Sequence, residues 1–156
     1  VTADAECQGA RRNETLDSRA GACPAVTDGG YGLALLGGPP GAGRYDALLG
    51  ACPKGSCIDG GTDDSRRDFA ARRGLCRLLV TGDTMALHMA TAFGIPVVAL
   101  FGPTSLAEIW VYGNGHKIGA EERDCLCCYS RCDKHPDCMV SIPMPGVKQA
   151  VLDLLD

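Results

Sequence analysis

The sequence has no apolar run that approaches the roughly 20 residues of a membrane-spanning helix. It also has no excess of basic charge, since 15 lysines and arginines face 19 aspartates and glutamates and give a net charge of -4. These absences argue against a transmembrane segment and against nucleic acid as a partner. A chain of 156 residues, of which 46% are hydrophobic and 22% charged, is typical of one globular domain.

The first 30 residues also lack two features, namely the apolar segment of a signal peptide and a clear hydrophobic period. We therefore predict a poorly defined N-terminal segment over residues 1–30 and an ordered domain over residues 31–156. The first well-defined strand is expected from Tyr31 to Leu36, where a short apolar run ends at glycines and prolines.

The most regular pattern in the chain lies between residues 78 and 104. One apolar run over 78–80 stops at Gly82-Asp83-Thr84, and a second over 97–101 stops at Gly102-Pro103-Thr104. Between them, apolar residues recur at helical spacing over 85–93, which follows a capping threonine. The pattern predicts a strand, a helix and a second strand, with both strands buried in a parallel sheet.

Strand and helix patterns alternate over the rest of the domain and predict an α/β fold, in which helices flank an open parallel sheet of four or five strands. The further predicted elements are strands at 56–59 and 116–119 and helices at 63–73 and 145–155. In such sheets, ligands sit beyond the carboxyl ends of the strands, where helix N-termini present N–H groups to anions. The predicted site therefore comprises residues 82–88 and 102–105.

The same stretch resembles the C-terminal half of glycosyltransferase family 9, which contains the lipopolysaccharide heptosyltransferases. The resemblance is specific over about forty residues and extends more loosely from Gly32 to the end of the chain. The matching residues are Gly82-Asp83-Thr84, His88, Ala90, Ala92, Gly94, Pro96, the run 97–104, Ala107-Glu108 and Tyr112-Gly113.

This resemblance implies a Rossmann-like nucleotide-sugar-binding domain, the C-terminal half of an inverting GT-B glycosyltransferase. The donor would be similar to ADP-heptose, with no cofactor required, and the acceptor would be a lipopolysaccharide, a related glycan or a lipid-linked glycan. In the family, the acceptor domain and the catalytic base belong to an N-terminal domain, so we assign no catalytic residue and expect a fragment that is inactive alone. The implied location is cytoplasmic, with peripheral association at the inner membrane left open.

The resemblance also implies a set of donor-binding residues. The diphosphate would be bound by Asp83, Thr84, Met85, Ala86 and His88, the sugar or phosphate by Gly102, Pro103 and Thr104, and the nucleoside by Asp64 and Ser65. Two departures from the family concern this set, because Met85 stands where the family commonly has glycine and Pro39-Pro40 stands where many relatives carry a ribose-binding acid. The alternative interpretation is structural: these residues cap helices, end strands or complement a helix dipole.

The chain contains ten cysteines, and five of them lie within a loop over residues 125–138. Cys125, Cys128, Cys132 and Cys138 suffice in number for a tetrahedral zinc ion or an iron-sulfur cluster. Disulfides and reduced packing thiols are the alternatives, since the paired CxxC spacing of a zinc ribbon is absent. The rival function is therefore a noncatalytic metal-binding or interaction module centred on this loop, and a remnant without activity is a third hypothesis.

Overall fold

The computed structural model describes residues 2–4, 26, 30–37, 46, 49–50, 52–120, 127–129 and 138–156, with the backbone alone for 2–4. Strands and helices alternate along this part of the chain. The strands are β1 (Thr2–Asp4), β2 (Leu33–Leu36), β3 (Cys57–Asp59), β4 (Leu79–Gly82), β5 (Val97–Phe101) and β6 (Gly115–Gly119). The helices are α1 (Arg66–Arg73), α2 (Met85–Ala92) and α3 (Met144–Leu155).

The strands form one parallel sheet in the order β3-β2-β1-β4-β5-β6. The chain first builds outward from β1 to β3 and then crosses back to place β4 on the other side of β1. This reversal of direction is the topological switch point of a doubly wound sheet, and ligands bind beyond the carboxyl ends of the two strands beside it. In this protein those strands are β1 and β4.

The sheet confirms the predicted α/β class, but its first strand is earlier than expected and it has six strands where four or five were predicted. Residues Thr2–Asp4, within the segment predicted to be poorly defined, pair with β2 on one side and β4 on the other. Val26 in the same segment is buried in the core. A three-residue strand has no hydrophobic period of its own, so only its backbone pairing with two neighbours reveals it.

Two apolar layers cover the two faces of the sheet. Alternate residues of β5 point to opposite faces, as strand geometry requires, so Val98 and Leu100 lie in one layer and Val97, Ala99 and Phe101 in the other. The first layer is completed by α3 and the second by α1 and α2. The α3 contributors are Val147, Ala150, Val151 and Leu155, and those of α1 and α2 are Phe69, Ala86, Leu87 and Ala90.

Local capping explains where the helices of the second layer begin, and it places the start of α1 at Arg66, three residues after the predicted start at 63. Ser65 precedes α1, and its hydroxyl accepts a hydrogen bond from the Asp68 N–H at 3.2 Å. Thr84 precedes α2 in the same role. None of the helices in the part of the chain that the structure describes has the length and apolar character needed to cross a membrane.

Candidate functional site

The two glycine turns predicted from the sequence lie side by side at the carboxyl edge of the sheet. Strands β4 and β5 are adjacent and parallel, and Gly82 stands opposite Leu100 in their register. The two strands therefore leave the sheet at the same level. The cleft between them has a volume of only about 10 Å³ and is lined by Gly82, Asp83, Leu100, Gly102, Pro103, Thr104 and Met139.

The first turn, from Gly82 to Thr84, leads directly into α2. The Thr84 hydroxyl is buried and accepts a hydrogen bond from the Ala86 N–H at 3.2 Å, and it also lies 3.2 Å from the Thr81 hydroxyl. The Leu87 N–H donates to the Thr84 carbonyl. Thr84 thus serves as the helix cap, as the structural alternative proposed, and its hydroxyl and the Ala86 amide are engaged within the turn.

Met85 and His88, at the start of α2 directly after this turn, are exposed. The Met85 side chain is 41% exposed and does not line the cleft, so it leaves the space beside Gly102 unblocked. The His88 side chain is 62% exposed, and its Nε2 lies 3.9 Å from Oδ1 of Asp83. The imidazole therefore stands at the solvent edge of the turn, where it can meet an anion.

The second turn begins at Gly102, and close packing there leaves no room for a side chain. A Cβ atom on Gly102 would lie 2.7 Å from the Cys138 Sγ and 2.5 Å from the Met139 Sδ. Cys138 and Met139 are both buried, and they come from a segment 36 residues further along the chain. The glycine is thus required by a contact with a distant part of the chain, a requirement that the local sequence does not reveal.

Tyr129 holds the same turn from the other side. Its N–H donates to the Pro103 carbonyl at 2.9 Å, and its hydroxyl accepts from the Ser105 N–H at 3.1 Å. The hydroxyl in turn donates to the Glu108 carboxylate. This bond to Glu108 raises the pKa of the phenol above its usual value, because ionisation of the phenol would remove the donated proton beside a carboxylate.

Ser105 lies within the predicted turn over residues 102–105, whereas Tyr129 and Met139 were not predicted as parts of it. No local pattern signals these two residues, because each acts across a gap of more than twenty residues. We refer to the bonds from Tyr129 to Pro103, Ser105 and Glu108 as the Tyr129 clamp.

The predicted nucleoside residues lie at the start of α1, away from the two turns. Asp64 forms an ion pair with Arg72 at 3.2 Å, and Arg72 also donates to the Gly60 carbonyl at 2.6 Å. The Ser65 hydroxyl donates to the Asp68 carboxylate at 2.6 Å. Strand β3, which leads into α1, is separated from β4 by β2 and β1, which corresponds to about 14 Å at the spacing of sheet strands.

A groove of about 580 Å³ runs along the outer side of α2 and begins at His88. Two exposed aromatic side chains border it, Trp110 at 73% and Tyr112 at 80%. Tyr112 has a φ of +53°, a backbone conformation that non-glycine residues adopt uncommonly. His88 is therefore shared between this groove and the edge of the sheet. Neither aromatic residue was predicted from the sequence as part of a site.

The predicted metal site falls partly outside the described residues. Cys128 and Cys138 are described and are not joined in disulfides, whereas Cys125 and Cys132 lie outside the described ranges. Within the ranges that the structure covers, no group of three histidine, cysteine, aspartate or glutamate side chains is placed to hold a metal ion. The four-cysteine site stays a prediction from the sequence.

Comparison with a protein family model gives a match over residues 67–138, which include both turns and α2. The model is described as glycosyltransferase family 9 (heptosyltransferase). The resemblance to glycosyltransferase family 9 is confirmed. A comparison with curated protein sequences finds no match.

Solved structures of family 9 enzymes share the fold at low sequence identity. The ADP-heptose lipopolysaccharide heptosyltransferase II of E. coli superposes with a TM-score of 0.80 at 18% identity, over 99% of this chain and 45% of that enzyme. A family 9 glycosyltransferase of Veillonella parvula gives a TM-score of 0.74 at 18% identity, over 99% and 46%. The E. coli heptosyltransferase WaaC, solved with ADP-2-deoxy-2-fluoro heptose, gives 0.68 at 15% identity, over 97% and 42%.

The chain therefore spans somewhat less than half the length of the family 9 structures that it matches. At these identities, the likeness establishes the doubly wound fold that these proteins share. The roles of individual residues in this chain depend on the geometry of this chain itself.

Proposed function

We propose that this chain is the donor-binding domain, corresponding to the C-terminal half, of an inverting family 9 glycosyltransferase. The donor is a nucleotide diphosphate sugar of the ADP-heptose type. One observation carries the proposal: the turns after β4 and β5 meet at one edge of the sheet, beside the switch point and with an exposed histidine between them and solvent. The E. coli enzyme WaaC, which shares the fold, was solved with ADP and with an ADP-heptose analogue.

The diphosphate fits the start of α2. The Met85 N–H stands in the first position of the helix, where an amide has no acceptor within the helix itself, and the helix dipole places partial positive charge there. His88, one turn further on, provides a side-chain donor on the exposed side. In this arrangement the backbone amide and the imidazole bind the phosphate oxygens, while the Thr84 hydroxyl holds the helix end in place.

Asp83 has a different role from the phosphate donors, since a carboxylate accepts hydrogen bonds and repels phosphate oxygens. Its side chain is partly exposed at the rim of the narrow cleft beside Gly102 and Thr104, where it can accept hydrogen bonds from hydroxyl groups of the donor sugar. Its oxygen 3.9 Å from His88 also favours an imidazole that points toward the edge of the sheet. We therefore assign sugar contacts to Asp83 and the second turn, and diphosphate contacts to Met85 and His88.

The nucleoside extends from the start of α2 toward the start of α1. Strands β3 and β4, which lead into α1 and α2, lie about 14 Å apart across three strand spacings, a distance that an extended nucleoside diphosphate can span. Helix α1 packs beside α2, so a ligand running along the carboxyl edge would pass from one helix start to the other. Because the Asp64 carboxylate is paired with Arg72, we propose that Asp64 orders this end of the site while Ser65 lies closer to the ligand.

The reaction that fits this domain is displacement at the anomeric carbon. The acceptor hydroxyl attacks that carbon as the nucleotide diphosphate leaves, and groups that bind the leaving phosphates stabilise the charge that develops there. The residues of this chain supply that stabilisation. The general base and the binding site of the glycan acceptor belong to a second domain, in keeping with the family resemblance.

A cytoplasmic location belongs to the same proposal. The described cysteines Cys52, Cys57, Cys76, Cys127, Cys128 and Cys138 are thiols that are not joined in disulfides. Reduced cysteines are typical of a reducing compartment, in which nucleotide sugars are also available as donors.

Calorimetric titration of the folded chain with ADP, ADP-heptose and UDP tests the proposal. We expect ADP and ADP-heptose to bind, and the His88→Ala variant to bind them about tenfold more weakly, because a charge-assisted bond to phosphate contributes about 1.5 kcal/mol. His116→Ala removes an exposed histidine from β6, on a different part of the sheet, and is the matched control. Absence of nucleotide binding by a folded sample, or equal effects of the two histidine variants, would contradict the proposal.

A further inference from the structure

Two cysteines outside the predicted site, Cys52 and Cys57, face each other across a tight turn. The Ser56 N–H donates to the Pro53 carbonyl at 3.1 Å, and the Ser56 hydroxyl donates to the same oxygen at 2.7 Å. Gly55 has a φ of +80°, which is the conformation that the third position of a type II turn requires. The turn over residues 53–56 is therefore fixed by its own bonds, and it brings the residues on its two sides together.

The two side chains are close enough for Cys52 to be among the causes that raise the pKa of Cys57, and both residues pack against the edge of the first core layer. The Cys57 thiol also donates a hydrogen bond to the Ile58 carbonyl at 3.8 Å. Cys57 begins β3 and is paired in register with Leu33, while the Cys52 N–H donates to the Leu49 carbonyl. Only the four turn residues 53–56 separate the two cysteines along the chain, and both thiols are partly exposed.

We propose that Cys52 and Cys57 form a reversible disulfide, a modification site separate from the donor-binding turns. The oxidant is a small disulfide such as oxidised glutathione. The first thiol attacks it to give a mixed disulfide and one reduced glutathione, and the second thiol then displaces the other glutathione to close the bond. Two thiols lose two protons and two electrons, and one glutathione disulfide becomes two glutathione molecules.

The surroundings of Cys57 affect how fast this thiol reacts. Partial burial, followed by the neighbouring Cys52, raises the pKa of Cys57 from 9.0 to about 12. Because only a thiolate attacks a disulfide, loss of the Cys57 proton limits the rate at which this thiol attacks.

The bond would join the loop before the turn to the edge strand of the sheet. Strand β3 is followed by Gly60 and Gly61, and the Gly60 N–H donates to the Leu35 carbonyl at 2.9 Å. Gly60 also accepts from Arg72 of α1. A disulfide at the start of β3 would restrict the strand that leads into α1, without contacting either glycine turn of the proposed donor site.

The positions of basic residues make the disulfide directly measurable. Trypsin cleavage after Arg44, Lys54 and Arg66 releases peptides 45–54 and 55–66, and each contains a single cysteine. The folded protein is equilibrated with mixtures of reduced and oxidised glutathione, blocked with an alkylating agent and digested without reduction. We expect a linked pair of these two peptides to form, with an equilibrium constant about tenfold larger in the folded chain than in the chain unfolded in urea.

Three variants complete the experiment. Cys52→Ser and Cys57→Ser should each abolish the linked pair of peptides. Cys76→Ser removes another partly buried thiol and should leave the linked pair unchanged. The proposal is overturned if folded and unfolded chains give the linked pair equally, or if Cys57 is joined to other cysteines as often as to Cys52. Circular dichroism of each variant verifies that the comparison is made between folded samples.

Discussion

The two turns at the carboxyl edge of the sheet look alike in sequence but are stabilised in opposite ways. The turn after β4 is held by residues within a few positions of one another, such as Thr81, Thr84 and Ala86. The turn after β5 is held by Tyr129 and by Cys138 and Met139, which are 24 or more residues away from it. The first turn is therefore stabilised by contacts between near neighbours, and the second by contacts with distant segments of the chain.

This difference bears on how the proposed donor site would behave. A turn that is fixed by its own helix cap is preorganised and tolerates changes elsewhere in the domain. A turn that is fixed by distant segments depends on whether those segments are in place. The sugar end of the proposed site is thus coupled to the cysteine-rich part of the chain, whereas the diphosphate end is not.

The largest effect is expected from Gly102→Ala, which disturbs the packing of the second turn against Cys138 and Met139. The new methyl group would overlap Cys138 and Met139, and overpacking of this kind costs about 1–3 kcal/mol of unfolding free energy. Urea denaturation measures the loss. Gly32→Ala is the matched control, because a Cβ at Gly32 meets no atom within 4 Å. Equal stabilities of the two variants would show that the second turn does not depend on this packing.

A smaller effect is expected from Thr84→Ala, which removes the hydrogen bond from the Ala86 N–H to the Thr84 hydroxyl at the first turn. Loss of the side-chain cap should lower the unfolding free energy by about 1 kcal/mol and weaken binding of ADP, because the start of α2 frays. Thr84→Ser keeps the hydroxyl and should retain most of the stability. If alanine and serine behave alike at this position, the hydroxyl is not the cap on which the turn depends.

The smallest effect is expected from loosening the Tyr129 clamp at an exposed position. Since the pKa of Tyr129 is raised in the folded protein, the clamp is complete below the ordinary phenol pKa of 10.0 and is lost as the pH rises through the folded value. An ultraviolet titration of the wild type minus that of Tyr129→Phe isolates this phenol among the four tyrosines. We expect its midpoint above 10, and a return toward 10 in Glu108→Gln. If the midpoint of Tyr129 is the same in the wild type and in Glu108→Gln, the hydrogen bond to Glu108 does not hold the phenol.

The parts of the fold that the sequence predicted share a physical cause. The strand, helix and strand over residues 78–104, the cap at Thr84, the helix after Ser65 and the terminal helix all arise from periodic apolar residues and from bonds between near neighbours. The two predicted turns also lie together, because adjacent parallel strands of similar length must end at the same edge. The family resemblance rested on this same stretch.

Strand β1, the switch point beside it and the support of Gly102 required the folded chain. Thr2–Asp4 are placed by backbone pairing to two strands that begin about 30 and 75 residues later, and no side-chain period marks them. Tyr129 and Met139 likewise act through contacts that join distant segments. The first turn and helix α2 could be predicted from the sequence, because neighbouring residues carry the information for them. Their surroundings could not, because long-range strand pairing and close packing depend on how distant parts of the chain come together.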